Sequence, residues 1–236
     1  MQGEKERNAA GSGPDFRHID TWIFDLDNTL YPAGSNLFAQ IDERMTRYIS
    51  QQMNLPIADA RRLQRLYYND YGATLSGLMR LNNVEPEAFL AYVHDIDLSV
   101  IVPDAALNQA FARLRGRRFV FTNGCGRHAQ RVLDRLGLAE AIDDIWDIRA
   151  LDYTPKPHAA AYRRIVNAGA FVPGSAAMFE DMARNLVPAH ALGMTTVWIN
   201  NGSSWSHQGP EFPAAARGHI HHEIDDLAEF LHAIRV

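Results

Sequence analysis

Apolar positions fall into two regimes along this 236-residue chain. After residue 99 short β-type runs alternate with stretches of helical period, whereas residues 37 to 98 carry helical period only. The β-type runs are "TWIF" (21–24), "RFVFT" (118–122), "DIWDI" (144–148), "AAMF" (176–179) and "TTVWI" (195–199). Helices are expected over 104–115, 127–136, 157–168, 183–192 and 225–234, with Gly137, Gly169 and Gly193 as stops. Such alternation implies a parallel sheet with helices on both faces. In the other regime, Asn36 is a candidate cap for "LFAQIDERMTRYISQQM", followed by "PIADARRLQRLYYNDYG", "TLSGLMRL" and "EPEAFLAYVHDI". With no strand to pack against, these segments predict a small helical bundle inserted after the first strand.

Composition narrows the picture. Hydrophobic residues make up 47% and charged residues 22%, the balance of a globular protein, and no apolar run approaches the roughly 20 residues of a membrane span. A net charge of −5 without any Lys/Arg block argues against nucleic-acid polymers and anionic membranes as partners, and for small-molecule chemistry. The opening "MQGEKERNAAGSGPDFRH" has no secretory apolar segment, and residues 1–17 are expected to form a disordered tail. Cys125 is the sole cysteine, so no intrachain disulfide forms, which fits a reducing cytoplasm. Basic residues are nearly all arginine; Lys5 and Lys156 are the only lysines, and Lys5 lies in the expected tail.

Candidate chemistry gathers at strand ends. Ligands of open parallel sheets bind at the carboxyl edge, so polar residues just after apolar runs become neighbours. These are Asp25 and Asp27 after "TWIF", Thr122 and Asn123 after "RFVF", and Glu180 and Asp181 after "AAMF", with Lys156 arriving in "TPKPH". Two aspartates two positions apart on an extended segment point the same way, at a free-energy cost unless a cation or a proton sits with them; otherwise they face open water as turn residues that solubilise a strand end. Mg²⁺ suits such an oxygen cage, taking carboxylates, waters and phosphate oxygens. A carboxylate beside it can attack phosphorus while a second moves protons, with Thr122 and Lys156 holding the phosphoryl oxygens.

"DLDNT", "TN" after a strand, "KP" opening a helix and "ED" with Asn185 four residues beyond Asp181 resemble, in that order, the four motifs of the haloacid dehalogenase superfamily. The resemblance spans residue 19 onward. It implies a Rossmann-like α/β core at residues 18–32 and 99–236, with an α-helical cap at 33–98. It also implies Asp25 as nucleophile, Asp27 as general acid/base, and Thr122, Asn123 and Lys156 as substrate binders. Asp25, Asp27 and Asp181 become the Mg²⁺ ligands, and Glu180 and Asn185 the outer partners. The acid at position 27 is similar to the phosphatases and phosphomutases of the superfamily rather than its dehalogenases. "DNTLYP", "YYNDYGATLSGL", "FTNG", "KPHAAAY" and "HIHH" further resemble its pyrimidine 5′-nucleotidase-like branch, which implies hydrolysis of nucleoside monophosphates. Met182 departs from the serine common after "ED". A sugar-phosphate phosphatase, a phosphomutase or a weakly active metal-binding regulator are the other readings. The expected partner is a small phosphomonoester, with a homodimer as candidate assembly.

Several features have competing readings. Cys125 and Arg131 form C-x₅-R, the spacing of a cysteine-dependent phosphatase loop, although arginine is common throughout the chain. His219, His221 and His222 could ligate a transition metal or lie on a partly exposed strand. Tyr67, Tyr68 and Tyr71 could stack on a base or pack the cap. Asp95 and Asp97 fall where the helical block returns to the core, a hinge position. Residues 201–218 read as a long surface loop.

Overall fold

The computed structural model describes residues 13–200, 202 and 217–236. Its strands are β1 (Thr21–Phe24), β2 (Arg117–Phe121), β3 (Asp144–Trp146), β4 (Ala176–Glu180), β5 (Thr195–Ile199) and β6 (His222–Ile224). They form one parallel sheet in the order β3-β2-β1-β4-β5-β6. Strand order reverses at β1, which pairs with β2 on one side and β4 on the other. Alternating side chains divide the core into two halves. Trp22, Phe24, Val120 and Phe179 pack to one face, and Ile23, Phe121, Met178 and Trp198 to the other. All four residues of β1 are buried, as a strand covered on both sides requires.

Helices α5 (Ala105–Arg113), α6 (Gly126–Leu136), α7 (Ala159–Gly169), α8 (Ala183–Ala191) and α9 (Leu227–Ala233) cover these faces. Phe111, Val132 and Leu231 join the half of the core holding Trp22, while Tyr162, Ile165 and Leu186 join that holding Ile23. Asp104 caps α5 by accepting from the N–H groups of Ala106 and Leu107. The expected start of α7 at residue 157 moves to Ala159, because Lys156 and Pro157 lie in a turn in which the His158 N–H donates to the Pro155 carbonyl at 2.9 Å.

Four helices intervene between β1 and β2 before α5: α1 (Leu37–Met53), α2 (Ile57–Tyr71), α3 (Thr74–Asn82) and α4 (Pro86–Val93). Among the described residues no strand lies between them, so the α/β sheet carries an inserted helical cap. Asn36 precedes α1 in the left-handed region at φ 58° and makes no side-chain cap; Ser35 Oγ instead accepts from the Leu37 N–H at 3.3 Å. Gly77 lets α3 approach α2, since a Cβ there would sit 2.4 Å from the Tyr67 ring.

The expected tail is corrected at its inner end. Phe16 is buried, donates its N–H to the Arg235 carbonyl at 2.9 Å, and stacks on Trp22 with ring centroids 6.0 Å apart. Large apolar area removed from water fixes this segment beside the end of the chain. Residues 1–12 and most of 201–218 lie outside the described residues. Within the described residues no helix is long and apolar enough to cross a membrane.

Candidate active site

The reversal of strand order brings the ends of β1 and β4 side by side, the crevice where such sheets take ligands. Asp25 follows β1 directly and continues its register, donating its N–H to the Phe179 carbonyl at 2.9 Å. Glu180 ends β4 and Asp181 follows it. Oxygens of Asp25, Glu180 and Asp181 all lie within 4.8 Å of one another, and each of the three residues is buried.

Lys156 enters this cluster from the turn before α7, with 1% of its surface exposed. Its Nζ donates to Asp25 Oδ1 at 2.6 Å, Glu180 Oε2 at 2.6 Å and the Phe121 carbonyl at 2.8 Å. Those acceptors use all three ammonium donors. Burial disfavours the Lys156 charge, but Asp25 and Glu180 more than offset it and raise its pKa. Asp25 is nevertheless pushed up to about 7, first by burial and then by the charge of Glu180, against the pull of Lys156. Asp181 is raised well above the usual carboxylate range by burial and by Glu180.

Charge counting explains why both partners rise. One ammonium serves three ionisable carboxyls, which leaves two negative charges unmatched when all are ionised. A divalent cation would balance them, and an all-oxygen donor set is the kind that Mg²⁺ accepts. The Asn185 Oδ1 atom, buried without a hydrogen-bond partner and lining the same cavity, adds a further unused oxygen. The residues present therefore fit the metal.

Two expected roles change. The Asp27 carboxylate does not join the acidic cluster. Its Oδ1 accepts from Tyr31 Oη at 2.6 Å and lies 3.1 Å from His128 Nε2, so the acids that group together are Asp25, Glu180 and Asp181. Burial works to raise Asp27, yet His128 and Tyr31 prevail and hold it below its ordinary value. Asn123 lines the cavity, but its amide is committed to the Lys156 backbone. It receives the Lys156 N–H at 2.8 Å and donates to the Lys156 carbonyl at 3.2 Å. Asn123 thus fixes the turn that delivers Lys156. Thr122 is buried in the cavity wall, its Oγ1 accepting from the Gly124 N–H at 2.9 Å while the hydroxyl proton stays free to point at a ligand.

His128 and Tyr31 were not legible as site residues. A signal for His128 existed: it shares the buried face of α6 with Ala129, Val132, Leu133 and Leu136, where a polar side chain needs a partner. His94, at the end of α4, stacks on His128 with ring centroids 4.4 Å apart and an interplanar angle of 11°. Burial and the neighbouring His128 depress the His94 pKa to about 3.

The C-x₅-R reading fails on geometry. Arg131 donates to the carbonyls of His94 at 3.0 Å and Ile96 at 3.3 Å, while Cys125 Sγ rests 3.3 Å from His94 Nδ1. The late histidines separate rather than converge. His219 Nε2 lies 3.1 Å from the Ala183 carbonyl, and His221 Nδ1 receives the Thr196 N–H at 3.0 Å. Of the three tyrosines, Tyr68 reaches the cavity, with the Arg184 guanidinium 4.0 Å from its ring centre. Tyr67 packs on Gly77 and donates to Asn82 at 2.7 Å. Asp95 pairs with Arg44 at 3.3 Å, and the Asp97 backbone is bonded in both directions by Gln40 at 3.0 Å, so both aspartates tie the returning chain to α1.

A sheet of this order, with an inserted helical block and a lysine among strand-end acids, defines a hydrolase class. A family profile for haloacid dehalogenase-like hydrolases matches residues 19–193, and the chain belongs to that family. Phosphate metabolism protein 8 of Saccharomyces cerevisiae is 27% identical over 136 residues, covering 52% of this chain and 42% of that protein. The chain thus matches less than half the length of that curated relative. Among solved structures, a predicted phosphoglycolate phosphatase from Haemophilus somnus superposes with a TM-score of 0.60 at 19% identity, covering 91% of this chain and 97% of its own. The L-2-haloacid dehalogenase of Xanthobacter autotrophicus gives 0.58 at 14%, with the same coverages of 91% and 97%. Both phosphatase and dehalogenase share the fold, so the reaction has to be argued from the site.

Proposed function

We propose that this chain is a Mg²⁺-dependent phosphomonoesterase that forms an aspartyl-phosphate at Asp25 and hydrolyses nucleoside 5′-monophosphates. One observation carries the reading: a nucleophile-ready carboxylate beside a buried lysine is accompanied by a second carboxylate, Asp27, held apart from the acidic cluster by its own donors. A phosphoryl transfer needs both, one to attack and one to move protons.

Asp25, Glu180 and Asp181 would hold the metal, with Asn185 nearby. When bound, Mg²⁺ supplies positive charge that keeps Asp25 ionised and offsets charge on the phosphoryl oxygens. Thr122 Oγ1 would grip a remaining phosphoryl oxygen, and Lys156 Nζ would do so by exchanging one of its present acceptors for it. The Asp25 carboxylate attacks phosphorus, the bond from phosphorus to the leaving oxygen breaks, and that oxygen takes a proton from Asp27. Ionised Asp27 then removes a proton from water, which attacks the aspartyl-phosphate, releases inorganic phosphate and restores Asp25. His128 and Tyr31 hold Asp27 low, which suits it to the second step; a phosphoryl anion beside it would raise its pKa and suit it to the first.

The cavity also bears on substrate choice. Its cap side is largely apolar, with Phe38, Ile41, Leu75 and Phe89 among its walls, and Asp42 and Gln64 supply a polar edge. Such a surface favours a leaving group with flat apolar faces and a hydrogen-bonding rim, the chemistry of a nucleoside, over a sugar hydroxylated on every side. The name of the yeast relative, a phosphate metabolism protein, supports phosphate chemistry.

Phosphate release from a panel of nucleoside and sugar monophosphates, with Mg²⁺ or with a chelator, tests the proposal. Pyrimidine monophosphates should give the highest kcat/KM, chelation should abolish turnover, and Asp25→Asn should lower kcat by at least about 10³-fold. Wild type and Asp25→Asn equally inert across the panel would leave a non-catalytic metal-binding role.

A further inference from the structure

We propose that His128 is a positioning residue which, together with Tyr31, holds Asp27 by one carboxylate oxygen so that the other meets the leaving oxygen of the substrate. This rests on the phosphatase reading and goes beyond it, because it assigns the leaving-group step to a helix of the core that none of the four motifs contains.

The geometry is specific. His128 lies in the first turn of α6, its side chain wholly buried, and its Nε2 is 3.1 Å from Asp27 Oδ1. Tyr31 Oη, four residues beyond Asp27, reaches the same Oδ1 at 2.6 Å. Both donors converge on one oxygen. Asp27 Oδ2 has no donor among the described residues, and Asp27 lines the cavity. With Oδ1 engaged by two partners the carboxylate is held against rotation, and Oδ2 is the oxygen left to meet a leaving group in the cavity.

The imidazole tautomer follows from the same accounting. His128 Nδ1 is buried without a hydrogen-bond partner. A buried N–H left unpaired costs more than a bare ring nitrogen, so of the two neutral tautomers the favoured one carries its proton on Nε2, facing Asp27. His94 closes the opposite face of the ring by stacking at 4.4 Å, and it is placed by the end of α4 and by Cys125 at 3.3 Å. His128 is thereby held from the core side and from the cap side at once.

A buried histidine that merely satisfies a polar core would look similar, and leaving-group dependence separates the two roles. A nucleoside 5′-oxygen leaves as a strongly basic alkoxide and needs the proton; p-nitrophenolate leaves without it. We expect Asp27→Asn to lower kcat on uridine monophosphate by about 10²–10⁴-fold and on p-nitrophenyl phosphate far less. His128→Phe should show the same signature in reduced form, with the loss on the nucleotide roughly tenfold greater than on the nitrophenyl ester. His128→Gln, which returns an N–H near the Nε2 position, should recover most of that difference. If His128→Phe does not fold, Tyr31→Phe, isosteric and bonded to the same oxygen, carries the same expectation. Equal losses on both esters in the His128 and Tyr31 variants, beside a selective loss in Asp27→Asn, would overturn this inference and leave the phosphatase reading standing. A wild type inert on both esters would overturn both.

Discussion

Lys156 is the one lysine in the described residues, and its isolation makes its contribution measurable. Replacing it with methionine keeps much of the shape but leaves Asp25 and Glu180 facing each other with no ammonium between them. Removing one partner of a buried ion pair costs about 3–5 kcal/mol when the other stays charged. The stranded carboxyls can escape that cost by taking up protons, which the folded variant does more readily than its unfolded chain. Lys156→Met should therefore lose phosphatase activity and be destabilised by roughly 3 kcal/mol at pH 8, with most of the loss recovered at pH 5.5. Urea unfolding at the two pH values checks this; a pH-independent penalty would mean that the carboxyls are not what Lys156 neutralises. At this scale Asp25, Thr122, Glu180 and Asp181 were legible because each lies at the end of an apolar run, and position after a strand predicts proximity. Asn123 and His128 show the limit. Whether an amide binds a substrate or a neighbouring backbone, and whether a helical histidine finds a carboxylate, depends on partners 33 and 101 residues away.

Helices and strands were legible where period and burial agree. β1, β2, β4 and β5 are apolar on both faces, and α1 to α4 show amphipathic spacing without competing strand pattern. Element ends were less so, because tertiary bonds set them: the reciprocal Asn123–Lys156 pair delays α7, and Phe16 draws the start of the chain onto Trp22. Contacts between cap and core have no sequence signal at all. Glu87 of α4 accepts from Arg149 Nε at 2.7 Å and from Tyr153 Oη at 2.7 Å, both on the loop after β3. Arg149 holds Glu87 down to about 2, so the pair stays ionised throughout the working pH range. Partly exposed ion pairs contribute little to global stability, on the order of 0–1 kcal/mol. Their effect here should fall on cap opening instead. Glu87→Gln is expected to lower the unfolding midpoint by no more than roughly 4 °C while amide exchange in residues 37–93 accelerates relative to the sheet. Unchanged exchange in the cap would show that this contact does not hold it.

At the scale of the whole molecule, alternation along the chain implied a parallel sheet, but not the order β3-β2-β1-β4-β5-β6 that sets Asp25 beside Glu180 and Asp181. Order depends on which connection crosses which face, and short-range pattern does not encode it. The same long-range assembly buries His94 between cap and core, stacked on His128 and against Cys125. His94 therefore couples global stability to pH. Burial, and then the neighbouring His128, lower its folded pKa to about 3 from an ordinary 6.5. Because the unfolded chain binds the proton more readily, His94 contributes stability that is fully present above about pH 6.5 and declines as pH falls toward 3. By pH 5 the lost share amounts to roughly 2 kcal/mol. His94→Phe keeps a flat ring on His128 but cannot titrate. The stability gap between wild type and His94→Phe, measured by urea unfolding at pH 7.5 and pH 5.0, should move by roughly 2 kcal/mol in favour of the variant at the lower pH. Groups remote from His94 titrate alike in both proteins and cancel from the difference, so a gap that stays constant would mean that His94 is charged, or free to become so, in the folded state.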